Sequence, residues 1–311
     1  MIITKLQGGL GNQMFQYAAG MALAHHHRTV LKLDVFWYKN DPNTQPHDRY
    51  GLNCFNVTEQ FATKKEVASF FPDQLSRTDR SVIRLLRSLG LGHLLRDFDF
   101  SGSAYLQKDW DFDPAFWKLP DNCYLEGYFQ NEPFFEPIQE TLRSHFTFRF
   151  PASEKVLSWA ELIGNSKNPV FVHFRRGDYL GKNSVYGALG LDYYRRALEL
   201  LKSRLGTLTV FVFSDDIDSV ERDLRLDVPH HFVRATEHYN FYDKIRLMSL
   251  CNHAIISNST FAWWGAWLVP NKDKIVVAPK PWHGDVQFKD LNPALSSWIG
   301  LDRNGVESLA P

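Results

Sequence analysis

Short apolar runs, each followed by a polar turn and a stretch of helical period, repeat along this chain, and that alternation restricts the fold most. In the second half, strands are predicted at 169–173, 208–213, 254–256 and 274–278. Helices are predicted between them, at 192–205, up to 224, at 239–250 and at 261–267. The first half opens in the same way. A strand over 2–6 is followed by GGLGNQ, a helix over 13–26 and a strand over 30–33 that ends at Asp34. Further helices are predicted at 64–71 and 81–95, a strand and then a loop over 102–113, and a strand over 124–128. A helix over 132–146 should kink at Pro137, because proline lacks the N–H that a helix interior needs. Strands that alternate with helices call for parallel sheets with helices on both faces. The most plausible boundary lies near Pro151, giving domains over 1–150 and 151–311, and the stretch from Asp302 reads as a frayed tail.

Bulk properties exclude several functions. The chain has 311 residues, 44% of them hydrophobic, which is enough for packed cores. The formal net charge is zero, so no basic surface recommends nucleic acid. Cys54, Cys123 and Cys251 lie far apart, without the spacing of a zinc site, and their sparse, odd number fits a reducing compartment. No apolar run has the length of a membrane span, and the expectation is a soluble, cytoplasmic protein. There is no GKS or GKT phosphate loop, no GxSxG and no HExxH.

Four polar clusters sit where strands end. VFVHFRRGDY, 170–179, places Arg175 and Arg176 at a strand tip, at the carboxyl edge where open α/β sheets bind ligands. Arginine forks grip phosphate oxygens two at a time, although a pair of surface arginines held by Asp178 is the plainer alternative. Four polar residues, Ser257 to Thr260, precede an apolar helix; one of them is enough for capping, and the free N–H groups suit a pyrophosphate. In FSDD, Asp215 or Asp216 can cap the next helix or bind a guanine or a ribose. GGLGNQ lacks the third glycine of a dinucleotide fingerprint, and reads either as a tight turn or as a helix start at which Asn12 and Gln13 offer amides to a sugar or phosphate. DWDFD, 109–113, is read as acidic turn residues rather than a metal site. His25, His26 and His27 point in different directions on a helix and make no metal site by themselves.

Taken in order, GGLGNQMFQYAAG at 8–20, RYGLNCF at 49–55, YLEGYFQNEPFF at 124–135, VHFRRGDY at 172–179, FSDD and SNSTFAWWGAWL at 257–268 resemble glycosyltransferase family 11. These are the α-1,2-fucosyltransferases, here in their bacterial form. The resemblance implies a GT-B type α/β fold, with two Rossmann-like domains facing a central cleft. The first domain would serve mainly the acceptor and the second would bind GDP-fucose. It further implies inverting transfer of L-fucose from GDP-β-L-fucose to the 2-hydroxyl of a terminal β-galactoside, with no cofactor and no metal. The acceptor would be a galactose-terminated oligosaccharide of lipopolysaccharide, capsule or milk type, with membrane contact left open.

Mapped onto this chain, the resemblance makes Arg175 the β-phosphate ligand, flanked by His173 and Arg176. Asn258, Ser259, Thr260 and Phe261 would hold the phosphates and the fucose, and Ser214 and Asp215 the nucleoside. Asn12 and Gln13, with Tyr128 and Gln130, would meet the acceptor. Asp178, Glu126, Asp215 and His173 all qualify as the general base. A related enzyme of different linkage or donor, and a nucleotide- or glycan-binding protein without turnover, are the alternatives.

Overall fold

A computed structural model describes residues 1–40, 49–71, 103–176, 187–234, 240–285 and 292–303. The chain divides into two compact units, Met1–Thr147 and Phe148–Pro311. The predicted helix over 81–95 lies outside the described residues.

Among the described residues, the first unit holds a parallel four-stranded sheet: β1 (Ile2–Lys5), β2 (Leu31–Asp34), β3 (Ser103–Leu106) and β4 (Cys123–Glu126), in the order β2-β1-β4-β3. Helix α1 (Leu10–His26) follows the glycine turn and packs on β1 and β2. Gly20 makes that approach close, since a Cβ there would lie 2.8 Å from the Leu31 Cδ1 atom. Phe15 meets Phe135 on another side of α1, with ring centroids 6.0 Å apart. Ile3 and Tyr124 pack instead with Phe70 and Ala62, beside α2 (Lys64–Ser69). Thr63 and Glu66 close the start of α2 as a reciprocal capping box.

The predicted helix over 132–146 is not continuous. Two 3₁₀ turns, Glu132–Phe134 and Glu136–Ile138, precede α3 (Gln139–His145). Each turn carries a proline in its first positions, Pro133 and Pro137, where the missing N–H costs nothing.

The second unit holds, among its described residues, six parallel strands: β5 (Pro169–Phe174), β6 (Thr209–Ser214), β7 (His230–Phe232), β8 (His253–Ile255), β9 (Val276–Lys280) and β10 (Ile299–Asp302). Their order is β10-β9-β8-β5-β6-β7. The chain winds outward from β5 through β6 to β7, then returns to lay β8 on the other side of β5. All six residues of β5 are buried, as in a parallel strand covered on both faces. Val170, Val172 and Phe174 join Val210, Val212 and Ile255 in a core with Tyr193, Ala197 and Leu201 of α5 (Leu191–Leu205) and Val220 of α6 (Ile217–Asp223). Three further helices lie among the described residues of this unit: α4 (Glu154–Gly164), α7 (Asp243–Met248) and α8 (Thr260–Leu268). α4 packs on α7 and α7 on α8.

Helix α4 and strands β7 and β10 are absent from the sequence reading. β7 has three residues and β10 carries Gly300, so neither gives a run of alternating or β-branched residues long enough to detect. α7 is shorter than the predicted 239–250. Arg303, expected in a frayed tail, is 9% exposed and donates to the carbonyls of Trp282 and Gly187 at 3.2 and 2.8 Å.

Candidate active site

In an open parallel sheet, ligands bind at the carboxyl ends of the strands, where the winding reverses and crossovers leave in opposite directions. In the second unit the reversal lies between β5 and β8. Arg175 and Arg176 follow the end of β5, Ser214 and Asp215 lie at the end of β6, and Ser257 to Phe261 run from β8 into α8. The structure therefore brings the three polar clusters of this half to one edge.

His173 Nδ1 and Ser257 Oγ lie 2.8 Å apart and close the gap between β5 and β8. The Phe261 ring centroid is 6.3 Å from that of His173. Burial holds the imidazole of His173 far below its ordinary protonation range, with Asp215 pulling it back up and Arg175 and Lys244 pushing it further down. It is a neutral ring at pH 7.

The two arginines have different partners. Arg175 Nε is 3.3 Å from Asp215 Oδ2, and its side chain keeps 27% of its exposure. Arg176 turns onto α6: Nη1 donates to Ser219 Oγ at 2.9 Å and to Asp223 Oδ2 at 2.6 Å. Its backbone N–H donates to Asp215 Oδ1 at 2.9 Å, so Asp215 bridges both residues. The expectation that Arg176 flanks the phosphate site needs correction, because its guanidinium braces α6. Asp178 lies outside the described residues.

Ser214 Oγ accepts the N–H of Asp216 at 3.0 Å, and Asp216 accepts from the N–H of Ser219 as the cap of α6. Ser214 is thus a turn brace whose carbonyl faces a residue that the sequence reading missed. Lys244 Nζ donates to that carbonyl at 2.7 Å. Burial lowers its affinity for the proton, Asp215 raises it and Arg175 lowers it. A lysine inside a short helical run carries no motif, and only the packing of α7 reveals its position.

α8 starts at Thr260 with Ser259 as N-cap, and the Ser259 side chain makes no capping hydrogen bond. The first-turn N–H groups have no partner within the helix and present a partial positive charge at the sheet edge. Asn258 is 2% exposed, and its amide donates to the Gly187 carbonyl at 3.4 Å, the same oxygen that Arg303 holds. That places Asn258 as a brace for the segment entering α5. Trp263, Trp264 and Trp267 are buried in the core.

In the first unit β4 lies beside β1, and a second polar group spans their carboxyl ends. Lys5 Nζ and Glu126 Oε1 form an ion pair at 2.5 Å across the two strand ends. Gln130 Nε2 donates to Asn12 Oδ1 at 3.1 Å. Asn12 lies over Gly8, where φ is +74° and any Cβ would come within 2.6 Å of Asn12 Nδ2, so the position demands glycine. Gln107 Oε1 accepts the N–H groups of both Tyr128 and Phe129 at 2.9 Å and fixes the turn after β4. Tyr128 stacks on Trp110 at 5.5 Å with 11° between the ring planes.

Gln13 does not belong to a ligand surface. It is fully buried, donates to the carbonyls of Gly8 and Arg49 at 3.0 and 2.8 Å, and accepts the Gly51 N–H at 2.8 Å. α1 begins three residues earlier than predicted, at Leu10, and this turns Gln13 inward while Asn12 stays at the edge. In DWDFD, Asp113 caps a 3₁₀ turn by accepting the Ala115 N–H at 2.8 Å. No group of three or more potential metal ligands occurs among the described residues.

Residues 94–302 match the model of glycosyl transferase family 11. The chain is 30% identical to the O-antigen biosynthesis glycosyltransferase WbnK of Escherichia coli, over 95% of this chain and 99% of that protein. It is also 30% identical to an alpha-1,2-colitosyltransferase of Escherichia coli, over 97% of this chain and 99% of the relative. A solved structure of NodZ alpha-1,6-fucosyltransferase soaked with GDP-fucose superposes with a TM-score of 0.49 at 14% identity, covering 86% of this chain and 92% of that one.

Proposed function

The chain belongs to glycosyl transferase family 11, and from that premise we propose that it transfers L-fucose from GDP-β-L-fucose, with inversion, to the 2-hydroxyl of a terminal β-galactoside. It is a glycosyltransferase by its family. The α-1,2 linkage is in the name of the colitosyltransferase relative and in that of galactoside alpha-(1,2)-fucosyltransferase 1 of Aotus azarae, 27% identical over 57% of this chain. An O-antigen oligosaccharide is the acceptor class we favour, after the name of the WbnK relative, with the reaction in the cytoplasm. No helix among the described residues is long and apolar enough to cross a membrane.

One observation carries this reading. The end of β5, which carries Arg175, and the start of α8 both lie at the carboxyl edge of the sheet by the β5/β8 reversal, where a diphosphate is expected in a sheet of this topology. When the glycosidic bond breaks, negative charge grows on the β-phosphate. Arg175 and the first-turn N–H groups of α8 offset that charge without a metal. Phe261, beside His173, would bound the sugar pocket. In the first unit, Asn12 and Glu126 at the strand edge and the Trp110–Tyr128 stack would hold the galactoside, since aromatic faces suit the C–H faces of sugars.

For the proton of the attacking hydroxyl, Glu126 lies at an edge and is 35% exposed beside Lys5, whereas His173 is buried against Ser257. Glu126 is the base we favour among the described residues. The test is product formation from GDP-fucose and lactose, with linkage assigned by NMR, in the presence and absence of a chelator. An α-1,2 product formed at full rate in chelator is expected. Absence of any fucosyl transfer, or strict dependence on added manganese, overturns the reading.

A second reading has the colitosyltransferase relative behind it, at 30% identity over nearly the whole chain. Colitose is L-fucose without its 3-hydroxyl. A pocket that hydrogen-bonds this hydroxyl discriminates strongly against its absence, so paired donor assays with the two sugars separate the readings.

A further inference from the structure

The charged groups that act on buried His173 are Asp215, Arg175 and Lys244, and they report the balance of charge at the β5/β6 edge. Arg175 is already paired with Asp215 through Nε. Arg176 is paired with Asp223 on α6. Among these groups Lys244 is the cation left over. Its described contact is with a neutral acceptor, the Ser214 carbonyl at 2.7 Å, which uses one of its three N–H donors.

Its position is built by its own helix. Asp243 is buried, accepts the Asn240 N–H at 2.9 Å, and lies 3.1 Å from Arg246 Nε. The Arg246 guanidinium lies 4.4 Å from the centroid of the Phe148 ring and donates to the Phe150 carbonyl at 2.7 Å. The first turn of α7 is therefore anchored, and Lys244 reaches the sheet edge from a fixed base. Among the described residues no carboxylate forms an ion pair with Lys244, Asp215 acting on it only from a distance, and a partly buried ammonium so placed is costly to keep unless an anion arrives.

We propose that Lys244 supplies the surplus positive charge that captures a nucleoside diphosphate at this edge, by direct contact of its ammonium group with a phosphate oxygen, while Arg175 and Asp215 act as an oriented pair. The proposal rests on the nucleotide-sugar reading given above. It changes the charge balance of that reading, because Asp215 offsets part of the charge of Arg175 and Asp223 pairs with Arg176.

Calorimetric titration of GDP, guanosine and inorganic pyrophosphate into the wild-type chain, Lys244→Met and Lys244→Arg tests it. For Lys244→Met, GDP and pyrophosphate affinities should fall by about 10- to 100-fold, as for loss of one charged hydrogen bond. Guanosine affinity should stay unchanged, and Lys244→Arg should recover most of the loss. GDP binding within threefold of wild type in folded Lys244→Met overturns the proposal, and so does an equal loss for guanosine, which marks a purely structural role. Should Lys244→Met not fold, acetic anhydride labelling of the wild-type chain decides. GDP, but not guanosine, should protect Lys244 in peptide mass maps, and absence of protection refutes the contact. Tight GDP binding that depends on Lys244, without fucosyl transfer, would remove the fucosyltransferase reading and leave this one standing.

Discussion

Replacing Arg175 by alanine removes the guanidinium at the end of β5 and leaves Asp215 with the backbone N–H of Arg176. A unit charge about 4 Å from a phosphate oxygen, in an effective dielectric of about 20, contributes about 4 kcal/mol. Asp215, 3.3 Å from Nε, offsets part of this. Only the share that grows as the leaving diphosphate gains charge affects the rate. About 3 kcal/mol then remains, a fall of about 10²-fold in kcat, within the range found when one oxyanion donor is lost. The cost to folding is far smaller. Both side chains of the pair keep roughly a quarter of their exposure, at 27% and 23%, so its loss costs about 1 kcal/mol or less. For a unit of this size that shifts Tm by about 2–4 °C at most. The assay is initial rate of transfer from GDP-fucose to lactose, read by chromatography, beside a thermal melt of the same preparation. A folded Arg175→Ala variant with kcat within threefold of wild type refutes the placement of the departing phosphate at this corner.

Four further outcomes follow from the same contacts. Arg176→Ala should lower the thermal stability of the second unit and change the KM for GDP-fucose by less than fivefold, since its guanidinium braces α6; a loss equal to that of Arg175→Ala would show that it reaches the donor. Gln13→Ala, which removes three hydrogen bonds in a fully buried site, should destabilise the first unit by about 3 kcal/mol in denaturant unfolding, whereas Asn12→Ala should lower turnover with little change in stability. Trp110→Ala should raise the acceptor KM and leave the Kd for GDP unchanged by calorimetry, because the ring lies against Tyr128 in the first unit. His173 contributes a pH dependence. Unfolding frees an imidazole that protonates near pH 6.5, whereas the buried ring resists protonation to well below that pH. The stability it contributes is present above about pH 6.5 and falls with decreasing pH, by up to about 1.4 kcal/mol per pH unit, until the folded-state value is passed. Urea titrations at several pH values should show a slope about one proton smaller for His173→Asn.

The strand–helix rhythm was legible because period is local. Runs such as 169–174 and 209–214 are apolar on both faces, and a continuous apolar run bounded by turns signals a buried parallel strand. Elements whose stability comes from neighbours were not legible. β7 and β10 are short edge strands held by the ladders of β6 and β9, and 132–138 keeps a helical pattern although prolines divide it into 3₁₀ turns.

The amino-acid sequence alone determined which residue types stand at the carboxyl ends of the strands, since Arg175, Ser214, Asp215 and the 257–261 segment each sit one or two positions past an apolar run. Tertiary structure decided their roles. The return of the chain to place β8 beside β5 joins His173 to Ser257, the turn of α6 draws Arg176 away, and the anchoring of α7 brings Lys244 to the Ser214 carbonyl. The reason is physical: identity and period are properties of neighbouring residues, whereas charge pairing acts across a few ångströms of space between residues as far apart in the chain as Lys5 and Glu126, 121 positions.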